Sequence, residues 1–219
     1  SDLLQDWSDK VKLEKEKEVC GFYLSAHPLK TYPTLQWVDA TPFTQALEMI
    51  KNVQSLKEPF VTAYGLVTSL KSITTKKGDP MAFMQCEDMS GNAEIIIFPT
   101  LYKKVENILG SHNVFIIKGT LDITATTTCK IKANDLIPVD NVFQEAETIK
   151  GITLNLPDVV HEPLLENLKT TLTPGTVPLS LQWKENDQTI VLTTGTKITC
   201  TFEQLLTLKT HNVLPRLAL

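Results

Sequence analysis

Residues 61–102 read VTAYGLVTSLKSITTKKGDPMAFMQCEDMSGNAEIIIFPTLY, and the changes of pattern inside them decide the fold. Residues 60–70 are rich in β-branched and aromatic side chains, which suit a pleated, half-buried surface. Gly65 within that run marks a place where a strand can bend or bulge. Residues 74–80 combine Thr, Lys, Gly, Asp and Pro and predict a loop. Residues 81–88 predict a second strand, 89–92 a tight turn, and 93–98 a third strand. Pro99 then opens a helical segment in which Leu101, Tyr102, Val105, Ile108 and Leu109 recur at helical spacing.

Downstream, residues 113–121 and 129–137 supply two further strands. Five strands with a helix between the third and the fourth is the order of an OB fold, a partly open Greek-key barrel. The barrel is placed at 58–140. Residues 141–219 read as a separate small α/β domain. Its strands are placed at 152–156, 177–183, 189–193 and 197–199, its helices at 160–172 and near 202–208, and a turn at Thr173-Pro174-Gly175. Upstream, residues 1–57 form a helical and extended joining segment. Lys10, Lys12, Glu14 and Lys17 lie at spacings that place opposite charges three or four residues apart, as on a solvated helix face. His27-Pro28 ends that element, because proline pushes the residue before it out of the helical region. A second helix is expected from Thr41 as N-cap and Pro42 as first helical residue, with Phe43, Ala46, Leu47 and Ile50 on one face. The fold class is therefore mixed α+β: a five-stranded OB barrel between a helical segment and a small α/β domain.

Composition narrows the chemistry. At 219 residues and a formal net charge of −4, one or two compact domains are expected. No apolar run is long enough to span a bilayer, and there is no basic-then-apolar secretory start. The opening Ser1-Asp2-Leu3, without an initiator Met, suggests a piece of a longer protein, with Met removal before Ser as the alternative. A cytoplasmic location is expected. Cys20, Cys86, Cys129 and Cys200 are widely spaced, as are His27, His112, His161 and His211. Reduced, mostly buried thiols are expected, with no zinc site, disulfide framework or other cofactor. Mild acidity argues against coating nucleic acid with the whole surface but leaves room for a local basic patch.

Catalysis finds little support. Glu87-Asp88 is the closest acidic pair, and it reads as a strand end whose Asp88 bonds the backbone of the following turn. A lone pair lacks the further ligands a metal site requires. Single-strand binding is the better candidate, since OB folds bind across their second and third strands, framed by the first and last loops. Lys71, Lys76 and Lys77 lie in or beside the first of these loops. Lys130 and Lys132 begin the fifth strand, just after the second. Period-two alternation puts Ala82, Met84 and Cys86 on one face, leaving Phe83 as a stacking candidate beside Gln85 on the other. A protein-binding scaffold and a free-standing nucleic-acid-binding OB protein stay open on these residues alone. In the third region Leu164, Leu165, Leu168, Leu205, Leu206 and Leu208 have helical spacing, and Val213, Leu214, Leu217 and Leu219 follow. Most are expected in the core, with any surplus forming a docking patch.

Two motifs carry a resemblance. Residues 16–29, EKEVCGFYLSAHPL, resemble the EKExLGFYLSGHPL segment that precedes the OB domain in the alpha subunit of bacterial DNA polymerase III. Residues 61–102 are similar to that family's VxGLVxxxxxxxTKKGxxMAFxxLEDxxGxxEvvvFPxxY. Thr173 to Leu179 looks like a weaker PG-x-x-P-V pattern of its C-terminal domain. Cys20 and Ala26 stand where the family usually has Leu and Gly. The resemblance implies a non-catalytic C-terminal part of a DNA-directed DNA polymerase, whose OB fold binds single-stranded template. It also implies that the last domain docks the tau subunit of the clamp loader, and that the sliding clamp is contacted by sequence outside this chain.

Overall fold

A computed structural model describes residues 27–52, 57–144 and 147–219, with isolated helical positions at 11, 15, 16 and 19. Residues 20–26, the centre of the first motif that carries the resemblance, lie outside the described residues. The chain divides into two compact units. One takes the described residues up to Leu35 together with 40–139, and the other takes 36–39 together with 140–219.

The first unit is a closed barrel in the order β1-β2-β3-β5-β4. Its strands are β1 (Phe60–Thr74), β2 (Pro80–Glu87), β3 (Asn92–Ile97), β4 (Val114–Leu121) and β5 (Cys129–Pro138). Strands β1, β2 and β3 form an antiparallel meander. β1 closes antiparallel onto β4, and β3 meets β5 in parallel. The interior is filled by Met84, Cys86, Ile95, Ile97, Phe115, Ile117, Leu121 and Ile131, each 0–1% exposed. Ala82, Met84 and Cys86 point inward, as period-two alternation requires.

Gly65 is not the bulge that the sequence suggested. The irregularity falls between Val67 and Ser69, where Thr68 is the extra residue and its Oγ1 donates to the Gln85 carbonyl at 3.2 Å. Gly65 keeps regular pairing with Phe115. It is glycine because a Cβ there would lie 2.9 Å from Cys86 Cβ and 3.0 Å from the Phe43 ring.

That ring belongs to helix α1 (Phe43–Lys51), which packs on β3 and β5 and buries Phe43, Ala46 and Ile50 in the barrel core. The structure therefore joins α1 to the barrel, whereas the sequence assigned it to a joining segment ending at 57. Thr41 does not cap it. Pro42 holds the N-cap position without a side-chain bond, and the cap comes from 45 residues away. Helix α2 (Pro99–Val105) lies between β3 and β4 and buries Leu101 and Val105.

In the second unit, a four-stranded sheet has the order β8-β7-β6-β9. The strands are β6 (Gly151–Asn155), β7 (Pro174–Glu185), β8 (Gln188–Ile198) and β9 (Leu214–Ala218). β6 runs parallel to β7 and antiparallel to β9. Helices α3 (Glu162–Thr171) and α4 (Phe202–Thr210) bury Leu164, Leu168, Leu205 and Leu208, while Leu165 and Leu206 stay exposed.

Three readings are corrected here. Thr173-Pro174-Gly175 is not a free turn: β7 starts at Pro174, and a Cβ on Gly175 would lie 2.3 Å from the Thr199 nitrogen. The two strands expected at 189–193 and 197–199 are one strand, β8. Residues 194–196 form a bulge in it, with Thr194 Oγ1 donating to the Leu179 carbonyl at 2.7 Å. β9 was not anticipated: Val213, Pro215 and Leu217 alternate inward with period two.

Residues 36–39 complete this unit. Val38 bridges in parallel to Leu217. Trp37, 2% exposed, meets Phe202 and Phe143 edge-on at centroid distances of 5.1 and 6.0 Å. Edge-to-face pairs of this kind contribute about 0.5–1.5 kcal/mol beyond burial. Lys209 Nζ donates to Gln36 Oε1 at 2.6 Å, and Arg216 pairs with Asp39. No helix among the described residues is long and apolar enough to cross a membrane.

Candidate nucleic-acid interface

The outward wall of β1, β2, β3 and β5 carries two rows of side chains set by strand register. One row is Lys71, Phe83, Ile96 and Lys132, each Cα-paired with the next across neighbouring strands. The other is Ser69, Gln85, Glu94 and Lys130. Residues opposite one another on adjacent strands share a face, so the eight side chains lie on one surface. Of the sequence-predicted site residues, Lys71, Phe83, Gln85, Lys130 and Lys132 are brought together on it.

Lys76 and Lys77 occupy the tip of the β1–β2 loop and are exposed. The loop is closed by Thr75 N donating to the Asp79 carbonyl at 2.8 Å and Gly78 N donating to the Thr75 carbonyl at 2.9 Å. Gly78 takes φ of +87°, the left-handed region that glycine occupies without penalty. Asp79 reaches Lys103 at 3.6 Å.

The electrostatics of the β5 side were not legible in sequence. Glu94 accepts from Lys130 Nζ on Oε1 at 2.8 Å and from Gln85 Nε2 on Oε2 at 3.0 Å. Lys132 pairs with Glu58 and lies 3.6 Å from Asp122. The hydrogen bond to Glu94 raises the Lys130 ammonium above its usual pKa, and the one to Glu58 does the same for Lys132. Asp122 is held below the usual carboxylate range, first by the Thr124 hydroxyl and then by its backbone bond and Lys132. Composition signals only that lysines and carboxylates nearly balance. Finding which carboxylate sits on which lysine needs the parallel β3–β5 register, which no local pattern encodes.

Phe83 is half-buried between Lys71 and Ile96. A base stacked on such a ring gains about 1–3 kcal/mol, largely independent of sequence.

Asp88 has the structural role read from sequence, and a second one. Its Oδ1 accepts from Ser90 N at 2.6 Å and Gly91 N at 2.7 Å, fixing the β2–β3 turn. Its Oδ2 accepts from Phe43 N at 2.8 Å and caps α1. A cavity of about 150 Å³ beside it is lined by Ala40, Thr41, Pro42, Tyr64, Met89 and Ser90 as well. Burial and the nearby Asp88 charge raise the Tyr64 hydroxyl. Burial also raises the Cys86 thiol, and pushes Cys129 up to about 11. At neutral pH these are thiols, not thiolates, and so poor nucleophiles. Among the described residues no three His, Cys, Asp or Glu side chains are placed to share a metal ion.

Residues 61–139 match the family of the OB-fold nucleic acid binding domain. The barrel is an OB domain. It is homologous to a region of DNA polymerase III subunit alpha. The protein of that name from Escherichia coli K12 is 24% identical over 188 residues, 84% of this chain and 16% of the relative. That from Treponema pallidum is 30% identical over 148 residues, 67% of this chain and 12% of the relative. That from Aquifex aeolicus is 36% identical over 114 residues, 52% of this chain and 9% of the relative. The chain thus spans about one sixth or less of the length of these relatives. For the OB domain, the comparisons and the strand order agree, and both are consistent with nucleic acid binding.

Proposed function

We propose that the OB domain holds single-stranded DNA across the wall of β1, β2, β3 and β5, within a non-catalytic region of a cytoplasmic replicative polymerase. The observation that carries this reading is the convergence of Lys71, Phe83, Gln85, Lys130 and Lys132 on one surface, with Lys76 and Lys77 at its edge. The half-buried ring offers a base-stacking platform, and the loop lysines offer phosphate contacts. Template ahead of a polymerase site is the single strand this role implies. Replacing Lys76 and Lys77 together by Glu should weaken binding of a labelled oligodeoxynucleotide at low salt by tenfold or more. An unchanged titration curve would sink the assignment.

A second reading concerns the C-terminal unit, which we propose docks a protein partner, the tau subunit of the clamp loader. Support comes from β8, an edge strand on which Val191 and Leu192 are 55% and 50% exposed. Isolated exposed apolar residues are ordinary, but two adjacent ones on an open sheet edge suit strand-on-strand docking. Capture of tau by the chain carrying Val191→Asp and Leu192→Asp should fall sharply; full retention argues against this surface. The sliding clamp would be contacted by sequence outside this chain.

A further inference from the structure

The five candidate lysines of the interface fall into two electrostatic classes. On the β1–β2 side, Lys71, Lys76 and Lys77 are exposed and show no carboxylate partner among the described residues. The nearest acid in the loop, Asp79, is already turned to Lys103 at 3.6 Å. On the β5 side two ammonium groups, Lys130 and Lys132, face three carboxylates, Glu94, Glu58 and Asp122. Among these five groups negative charges exceed positive ones by one.

We infer that Glu94, with Glu58 and Asp122, acts as a built-in phosphate excluder. It holds Lys130 and Lys132 in ion pairs, so that a bound strand places its phosphates at the β1–β2 end and only its bases over β3 and β5. The inference rests on the reading of the barrel wall as a single-strand interface.

Geometry supports the exclusion in three ways. Both Glu94 oxygens are engaged, one by Lys130 at 2.8 Å and the other by Gln85 at 3.0 Å, so the carboxylate is tied from two strands. The Glu94 and Lys130 side chains are 24% and 35% exposed, so their attraction is less screened than that of a fully solvated pair. A phosphate approaching Lys132 would have to compete with two carboxylates, since that lysine is ion-paired with both Glu58 and Asp122. Like charges brought together at an interface oppose the contact. Bases, being uncharged, meet no such opposition, and Phe83 and Ile96 give them an apolar floor.

The expected consequence is a strand bound with few phosphate contacts. Each phosphate contact to a single strand adds about 0.7 to the slope of log affinity against log salt. Glu94→Gln keeps the amide-sized side chain and its bond to Gln85 but frees Lys130.

The test is a salt-series titration of a fluorescent oligothymidylate with the full chain and the E94Q variant. Glu106→Gln, which removes the same charge at the end of α2 and off the wall, is the control. The result expected is a several-fold gain in affinity for E94Q and a slope steeper by about 0.7. The control should show a smaller gain and an unchanged slope, because a change in net charge adds no contact. Glu58→Gln with Asp122→Asn should act in the same direction through Lys132, so a failure of one variant to fold does not remove the test. If the wild-type chain binds and these variants leave both affinity and slope unchanged, the excluder is wrong and the interface reading survives. If neither the wild-type chain nor any variant binds at low salt, the interface reading falls and takes the inference with it. A silent wild type beside a binding E94Q supports both.

Discussion

The barrel and the C-terminal sheet solve the same problem, what to do with strand edges, in opposite ways. In the barrel β1 closes onto β4 and β3 onto β5, so every strand has two neighbours and no edge remains. What such a wall presents to a partner is side chains, and here those are lysines, carboxylates and one phenyl ring in register. In the C-terminal unit β8 has only β7 beside it, and most of its residues are exposed. What that sheet presents is backbone. The difference teaches that a closed wall and an open edge offer a partner different things: side chains in the first, unpaired backbone groups in the second.

The strongest way to break this comparison is to ask whether the two units are energetically separate. Phe115 is fully buried inside the barrel, and truncating it leaves a cavity. Phe115→Ala should cost about 3–5 kcal/mol. In calorimetry the loss should appear in one of two transitions, with the C-terminal one unmoved. A single transition shifting as a whole would show that the units melt together, and the contrast would then describe surfaces only.

A smaller effect sharpens how the barrel is locked. Asp88 fixes the β2–β3 turn through Oδ1 and caps α1 through Oδ2. Asp88→Ala leaves the first α1 amide and two turn amides without their acceptor. Loss of an N-cap side chain costs roughly 0.5–2 kcal/mol, and the turn bonds put this variant at the upper end, about 2 kcal/mol. Urea denaturation of the barrel checks it. Thr41→Ala, at the position the sequence favoured as cap, should be nearly silent, since Thr41 contributes only its backbone amide, bonded to the Thr62 carbonyl at 2.7 Å.

That contrast shows where sequence reading reached and where it stopped. The five barrel strands and α2 were legible, because period-two alternation, the Gly78 loop and Pro99 are all local signals. The capping of α1 was not, because its acceptor lies 45 residues away. Likewise Lys130 and Lys132 were legible as members of the wall, but not as ion-paired members. Their partners arrive from β3, from the approach to β1 and from the β4–β5 loop, and only the closed barrel brings these together. In the C-terminal unit the local signals misled. The Thr-Gly-Thr run at 194–196 looked like a break and is a bulge, and Pro215 within an apolar tail concealed β9. Residues 36–39 read only as part of the joining segment, since their contacts with Phe143, Phe202 and Leu217 come from chain far downstream that no local pattern reveals.

The smallest expected effect tests the open edge itself. Val191 and Leu192 lie on β8 opposite Gln182 and Leu181, respectively, alternate to opposite faces, and are each about half exposed. Their side chains contribute little to the folded unit, so Val191→Lys should change its stability by no more than about 0.5 kcal/mol. Lysine on an edge strand opposes pairing with another copy, because two such edges would bring like charges together. The variant should therefore show less light scattering than the parent on slow heating while its melting midpoint stays put. Should the midpoint fall by several degrees instead, Val191 is supporting the sheet, and β8 is an internal strand of the unit in all but hydrogen bonds.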